Sequence, residues 1–351
     1  MRETSGRNGK EGMPGVDIGA RHDLVVIGAS AGGVEALRAV VAALPRELPA
    51  SVVAVLHLPE GGTSVLPSIL DRAGPLRAKP ATDGEPLESS TIYVAIPDCH
   101  VQIDDGRLRV QGGPRENGHR PAIDTLFRSA AHARGEETLG VILSGALDDG
   151  TLGLRAIKAH GGMTIVQDPK TALHPGMPNS AIRLVAPDRV LAPEQIASAI
   201  ADFANGTVEK GHNGGRVREM RDRERVKVQT SSELLGDETG LTCPDCGGAI
   251  YQQDEGEVVS FRCRVGHQYA ADTFVVEQSK TVENSLWAGL RLLEERAVLM
   301  RRLAERYAEH QRTSRRFREK AEELEGHAAQ LTQLLREVTG SPQTVLVAEE
   351  G

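Results

Sequence analysis

Between Asp23 and Ala204, short apolar runs alternate with amphipathic stretches. The runs Leu24–Gly28, Val52–Leu56, Ile92–Ile96, Leu139–Leu143 and Met163–Val166 are rich in β-branched residues and predict strands buried on both faces. Between them, Val34–Leu44, Ser64–Ala73, Ala122–Ala133, Leu152–Ala159 and Pro193–Phe203 predict helices, with Gly135 and Gly161 as stop signals for two of them. Cys99–Ile103 and Arg107–Gln111 flank Asp104-Asp105-Gly106, a hairpin signal. The expected fold class is α/β: a doubly wound, mostly parallel sheet covered by helices, with the hairpin at one edge.

The pattern changes after residue 204. Residues 205–240 contain Gly214-Gly215 and the charged run Arg216 to Lys227, and read as a linker, in part helical. Residues 241–271 hold a cysteine and histidine cluster. From 272 to 340 the apolar positions take steps of four and three: Leu286, Leu290, Leu293, Ala297, Met300, Ala304 and Tyr307, then Phe317, Ala321, Leu324, Ala328, Leu331, Leu335 and Val338. The register slips between Gln311 and Arg316, which fits either a helical hairpin or one coiled coil with a discontinuity. Residues 1–21 read as a disordered N-terminus, 22–204 as the catalytic-type domain, and 341–351 as a loose tail.

Composition narrows the class. The 351 residues are 39% hydrophobic and 26% charged with a net charge of −8, which fits a soluble globular protein and argues against general nucleic-acid binding. No apolar run reaches membrane-spanning length, and the polar first 15 residues are no secretory signal, so no membrane insertion is expected. Three of the four cysteines crowd into one C-terminal window, the spacing of a metal site in a reducing cytoplasm and not of a disulfide framework.

The chemistry centres on Gly28-Ala29-Ser30-Ala31-Gly32-Gly33, between the first strand and the first helix. A G-x-S-x-G strand–turn–helix projects a serine hydroxyl out of the chain's path, and the helix behind it aims N–H groups where an oxyanion would form. The same glycines could instead cradle a nucleotide phosphate, although neither G-x-G-x-x-G nor G-K-[ST] is in register. In open α/β sheets, sites gather at the carboxyl ends of the strands. Ser30, His57 and the Asp148-Asp149 pair follow three separate strands at that end, and together form a serine, base and orienting carboxylate set. Alternatives stay open: Asp148 and Asp149 could cap the helix beginning near Thr151, and Asp124 and Asp168 are rival orienters.

Five ordered motifs carry a resemblance. They are Gly28-Ala29-Ser30-Ala31-Gly32-Gly33, Leu56-His57-Leu58-Pro59, His119-Arg120-Pro121-Ala122-Ile123-Asp124, Leu143-Ser144-Gly145…Asp149-Gly150 and Gly176-Met177-Pro178. Together they resemble the catalytic domain of the CheB-type chemotaxis receptor-glutamate methylesterases, over about Asp23 to Phe203. The resemblance implies Ser30 as nucleophile, His57 as base, Asp149 as orienter and Asp148 as a non-catalytic neighbour. It puts an oxyanion-hole N–H on Ala146, with Ala31 in the turn as a second candidate, and places His119, Arg120, Asp124 and Met177 in the cleft wall or in structural hydrogen bonds beneath the site. The implied reaction is hydrolysis of glutamate γ-methyl esters on methyl-accepting chemotaxis receptors through a glutamyl-enzyme, with glutamine deamidation by the same route and no cofactor for catalysis.

Two departures stand out. The family's usual methionine and glycine are replaced by Ala146 and Leu147, so a positive φ at the second position would strain the turn. With about 22 residues before the first strand, the chain offers no room there for the phosphoreceiver domain of the best-known members, so control by phosphorylation in cis is not expected. Beyond the domain, Cys243-x2-Cys246-x16-Cys263-x3-His267 offers three thiolates and an imidazole, the ligand set of a closed structural zinc site in a zinc-ribbon-like module; a small apolar cysteine core is the alternative. The helices behind it are expected to engage a receptor methyltransferase or another signalling partner. A catalytically weak scaffold, recruiting partners through the zinc module and coiled coil, is the competing function. A nucleotide-binding domain is a third.

Overall fold

The computed structural model describes residues 23–57, 64–207, 236–255 and 258–340. The N-terminus at 1–21, most of the linker with its helical part, the tail at 341–351, and Leu58-Pro59 lie outside the described residues. The chain divides into two compact units, the first before and the second after Ser231.

The first unit is built on seven strands: β1 (Leu24–Ala29), β2 (Ser51–Leu56), β3 (Arg77–Pro80), β4 (Thr91–Val94), β7 (Thr138–Ile142), β8 (Met163–Gln167) and β9 (Arg189–Leu191). Their order is β3-β4-β2-β1-β7-β8-β9. Every pairing in this sheet is parallel. All six residues of β1 are buried, as its uninterrupted apolar run requires at the centre of a sheet covered on both faces.

Alternation along β1 sends Val25, Ile27 and Ala29 to one face and Leu24 and Val26 to the other. The first face packs on α1 (Gly33–Ala42), α2 (Leu66–Ala73) and α6 (Pro193–Ala204), through Leu37, Val40, Leu70, Ile196 and Ile200. The second packs on α3 (Ile123–Arg134), α4 (Thr151–Ala159) and α5 (Gly176–Val185), through Leu126, Phe127, Leu154, Met177 and Ala181.

The hairpin, β5 (His100–Asp104) with β6 (Arg107–Gln111), forms a separate two-stranded sheet and does not extend the main one. Its apolar side, Val101, Ile103 and Leu108, is buried in the core on the α3 face. Ile103 N–H also bonds the Ser129 hydroxyl on α3 at 3.0 Å. Burial against a helix, not edge pairing, determines where this ribbon sits.

The second unit opens with an antiparallel sheet, β10 (Asp237–Thr242), β11 (Ala249–Glu255), β12 (Val258–Cys263) and β13 (Gln268–Ala270), in sequential order. Cys243, Ile250, Cys263, Tyr269 and Phe274 make its small core. Phe274 belongs to the next element, α7 (Ala271–Arg306), and its ring stacks on Phe261 at 4.4 Å.

A hairpin of α7 and α8 (Gln311–Gly340) follows, which resolves the two readings of the heptad stripe. Ala297, Ala304, Ala321 and Ala328 are buried, and Leu290, Leu324 and Leu335 are buried with them. The turn needs neither glycine nor proline. Ser314 Oγ donates to the Ala304 carbonyl at 2.8 Å, which satisfies an end-of-helix acceptor, and the Tyr307 ring stacks on Phe317. A bidentate Arg301–Glu325 pair, 2.7 Å on both arms, bridges the helices. Among the described residues, no helix is long and apolar enough to cross a membrane.

Candidate active site

Successive strands run outward from β1 in opposite directions, to β2 on one side and to β7 and β8 on the other. The crevice between the carboxyl ends of β1 and β7 is therefore the topological switch point of the sheet. Ser30 leaves β1 into this crevice, the loop from Ser144 to Gly150 leaves β7 into it, and His57 leaves the adjacent β2.

The Ser30 turn is held by its neighbours. Ser30 N–H donates to Ser144 O and Gly33 N–H to Ser30 O, both at 2.9 Å. Gly32 takes φ +68°, and a Cβ there would stand 2.7 Å from Leu173 Cβ. Ser144 is buried and ties three segments: its hydroxyl donates to Ala31 O at 2.8 Å and accepts the His174 N–H at 3.0 Å, while its own N–H reaches Gln167 Oε1 at 2.9 Å.

Gly145 is pinned between Met177 and Ser30. A Cβ on it would run into the Met177 sulfur and stand 2.9 Å from Ser30 Cβ. Met177, expected in the cleft wall, is fully buried; it supports the turn from beneath because α5 carries it into the core. Gly145→Ala is expected to destabilise the first unit by about 1–3 kcal/mol, the cost of overpacking a tight interior, read from the denaturation midpoint.

Ser30, His57 and Asp149 converge. His57 Nδ1 lies 3.1 Å from Ser30 Oγ and His57 Nε2 lies 2.7 Å from Asp149 Oδ2. An ionised Asp149 only accepts, so Nε2 carries the hydrogen and Nδ1 presents its lone pair to the serine. The His57 and Asp149 side chains are only 6% and 3% exposed, which shields this chain of hydrogen bonds from water.

Asp149 is an unusually well-served carboxylate. Oδ2 also accepts the Ile123 N–H at 2.8 Å, and Oδ1 accepts Gly150 N–H at 2.9 Å, Asp124 N–H at 3.2 Å and Asn117 Nδ2 at 2.8 Å. Ile123 and Asp124 open α3, whose own N-cap residue Ala122 has no side chain to offer, so Asp149 caps that helix from across the fold. Burial pushes the Asp149 carboxyl up, but the hydrogen bond and charge of His57, the charge of His119 and the Ile123 N–H outweigh it and hold it below the usual carboxylate range.

The other candidates fall at graded distances. The His119 ring stacks on His57, 3.6 Å between centroids with planes 15° apart. Arg120 turns away, bonding the Gly113 carbonyl at 2.6 Å and facing Asp98 at 3.6 Å, so its contacts are structural. Asp124 lies behind Asp149, not beside His57; its Oδ1 accepts Gly153 N–H at 2.6 Å. Asp168 closes its own turn by accepting the Lys170 N–H. Asp148 is buried, and the N-cap of α4 is Gly150, at φ +90°, with no side-chain cap. Ala31 and Ala146 are exposed, and neither N–H donates to a protein acceptor among the described residues. Leu147 sits at φ +61°, the left-handed conformation the family's glycine would take, at a cost of order 1 kcal/mol. Asn117 was not legible in the sequence; its only signal was the Asn-Gly pair just before the His119 motif.

In the second unit, Cys243, Cys246 and Cys263 Sγ and His267 Nδ1 all lie within 4.8 Å of one another. The Cys246–Cys263 sulfurs are 3.8 Å apart, and His267 Nδ1 is 3.6 Å from Cys243 and 3.5 Å from Cys263. A tetrahedron with Zn–S of about 2.3 Å and Zn–N of about 2.05 Å has edges of about 3.8 Å and about 3.5 Å. Gly247 and Gly266, at φ +69° and +107°, close the two turns around the sulfurs. Burial pushes the Cys263 thiol up, but the N–H groups of Gly266, His267 and Val265 facing it outweigh this and hold it below its ordinary value.

Known proteins share this architecture. The CheB methylesterase family model matches residues 25–200. Protein-glutamate methylesterase/protein-glutamine glutaminase 2 of Anaeromyxobacter dehalogenans is 38% identical over 184 residues, covering 52% of this chain and 54% of the relative. A putative protein-glutamate methylesterase/protein-glutamine glutaminase of Leptospira interrogans is 36% identical over 190 residues, 54% of this chain and 98% of the relative. The chain thus spans about half the length of the first relative and nearly all of the second. The crystal structure of the Thermotoga maritima CheB methylesterase catalytic domain superposes with a TM-score of 0.50 at 34% identity, covering 52% of this chain and 98% of that domain. The chain belongs to the CheB methylesterase family.

Proposed function

We propose that the chain hydrolyses glutamate γ-methyl esters on methyl-accepting chemotaxis receptors, with Ser30 as nucleophile, His57 as general base and Asp149 as orienter. The observation that carries this is the continuous hydrogen-bond chain, 3.1 Å from Ser30 to His57 and 2.7 Å from His57 to Asp149. Ser30 Oγ attacks the ester carbonyl as its proton passes to His57 Nδ1, and the oxyanion that forms is met by the N–H groups of Ala31 and Ala146. Collapse breaks the bond to methoxide, which takes the proton from Nδ1 and leaves as methanol. Water then gives a proton to Nδ1 while its oxygen attacks the glutamyl ester, releasing the receptor carboxylate and restoring Ser30. An amide in place of the ester loses ammonia by the same steps, so glutamine deamidation needs no further group. Mass spectrometry of receptor helices tests this: methylated glutamates should lose one methylene mass per site and glutamines should become glutamates, whereas unchanged peptides would count against the reading.

The Cys3His cluster is read here as a structural zinc site with Cys243, Cys246, Cys263 and His267 as ligands. Three of its edges, at 3.5, 3.6 and 3.8 Å, are those of a zinc tetrahedron, which supports this, and four protein ligands leave no position for a substrate.

A further inference from the structure

Among the described residues, Asn117, in the loop before α3, donates a side-chain hydrogen bond to Asp149 alongside His57. Asn117 is only 3% exposed and holds φ +51°, which asparagine tolerates better than most residues. Its Nδ2 lies 2.8 Å from Asp149 Oδ1 and 2.9 Å from Asp124 Oδ2. An amide nitrogen carries two hydrogens, so each carboxyl receives one, and only the NH2 edge of the amide can face both.

We propose that Asn117 is a positioning residue for the Ser30–His57–Asp149 relay: braced on Asp124, its amide fixes the Asp149 carboxylate in the rotation that keeps Oδ2 on His57 Nε2. The proposal rests on the triad reading above. Asp149 and Asp124 are 2% and 1% exposed, and two buried carboxyls facing one another without a donor between them would repel. The groups facing this pair are His57 and His119 on the Asp149 side and Arg128 and Glu116 on the Asp124 side. Burial and the charge of Asp149 push Asp124 well up, against the pull of Arg128 and the Gly153 N–H, while Asp149 is held low. Asn117 places its one NH2 group between the two carboxyls, 2.8 Å from Asp149 Oδ1 and 2.9 Å from Asp124 Oδ2.

The test uses two variants of the full chain. Asn117→Gly accepts the left-handed backbone and removes the amide. Asn117→Asp keeps the outline but substitutes an acceptor for the donor. With methylated receptor as substrate, Asn117→Gly is expected to lower kcat about 10-fold to 100-fold, the usual size of an outer-shell orientation effect, while KM stays within about twofold. Asn117→Asp should lose at least as much. In proton NMR, the low-field signal of the His57 Nε2–H in its bond to Asp149 should broaden or vanish in Asn117→Gly. Retention of kcat within about twofold together with that signal, or a loss carried by KM alone, would overturn the proposal. Ser30→Ala run in parallel separates the two readings: its inactivity beside a fully active Asn117→Gly sinks only the positioning role, whereas its full activity sinks the triad.

Discussion

Ser30→Ala is expected to lower methanol release by ~10⁴-fold or more, the size of effect that loss of a triad nucleophile has elsewhere. The geometry explains why so little should survive. Among the described residues, Ser30 carries the hydroxyl bonded to His57, at 3.1 Å, and His57 is held from behind by Asp149 and faced by the His119 ring. Ser144, the nearest other serine in these loops, cannot substitute. It is buried, and its hydroxyl is committed to Ala31 O and His174 N–H. Residual turnover in the variant would come from the oxyanion donors and from binding, with water as nucleophile. Alanine removes one oxygen at a half-exposed turn whose backbone bonds to Ser144 and Gly33 remain, so the variant should fold as the parent does. Loss of activity with an unchanged thermal midpoint is the expected pair of results.

Removal of the metal is expected to have the other large effect. Among the described residues, the β10–β13 module has a small core, built on Cys243, Ile250, Cys263, Tyr269 and Phe274, too little apolar burial to hold a fold of its own. With zinc in place, binding contributes roughly 10 kcal/mol or more to folding, so strong chelation or Cys246→Ser should unfold the module outright. Tyr251 and Tyr269 are on its strands, and near-ultraviolet circular dichroism reports on them directly. Elemental analysis of the native chain should give one zinc per molecule. Methanol release should be largely retained, because Ser30, His57 and Asp149 all lie in the first unit. Equal loss of activity in Cys246→Ser and Ser30→Ala would contradict the separation of the two units.

The site was legible in the sequence where one local rule decided it. The run Leu24-Val25-Val26-Ile27 can only be a buried strand, and the small residues after it force a sharp turn at Ser30. The rule that sites collect at the carboxyl ends of parallel strands pointed to His57 and the Asp148-Asp149 pair, the family resemblance singled out Asp149, and the structure brings Ser30, His57 and Asp149 together. Leu147 was legible too: a bulky residue where the family carries glycine does take positive φ.

What the sequence did not disclose depends on approach in three dimensions. Asn117 acquires its role only because the loop before α3 carries it between two carboxyls that lie 25 residues apart along the chain. Met177 is an ordinary apolar residue in any periodicity count, and its burial beneath Gly145 follows from where α5 enters the core. The short strands Arg77–Pro80 and Arg189–Leu191 carry no apolar run, because each lies at an outer edge of the sheet. Only tertiary packing distinguished the two readings of the stripe after residue 272, since the turn between the helices is made by Tyr307, His310, Ser314 and Phe317 and not by a glycine or proline.

The most direct test of the central claim is methanol release from a methylated receptor preparation by the full chain alone, with no phosphodonor and with Ser30→Ala alongside. Sustained release over many turnovers by the parent and none by the variant is the predicted result. Release at equal rates by both would show that Ser30 is not the nucleophile, and release by neither would favour a scaffold built on this fold over an enzyme.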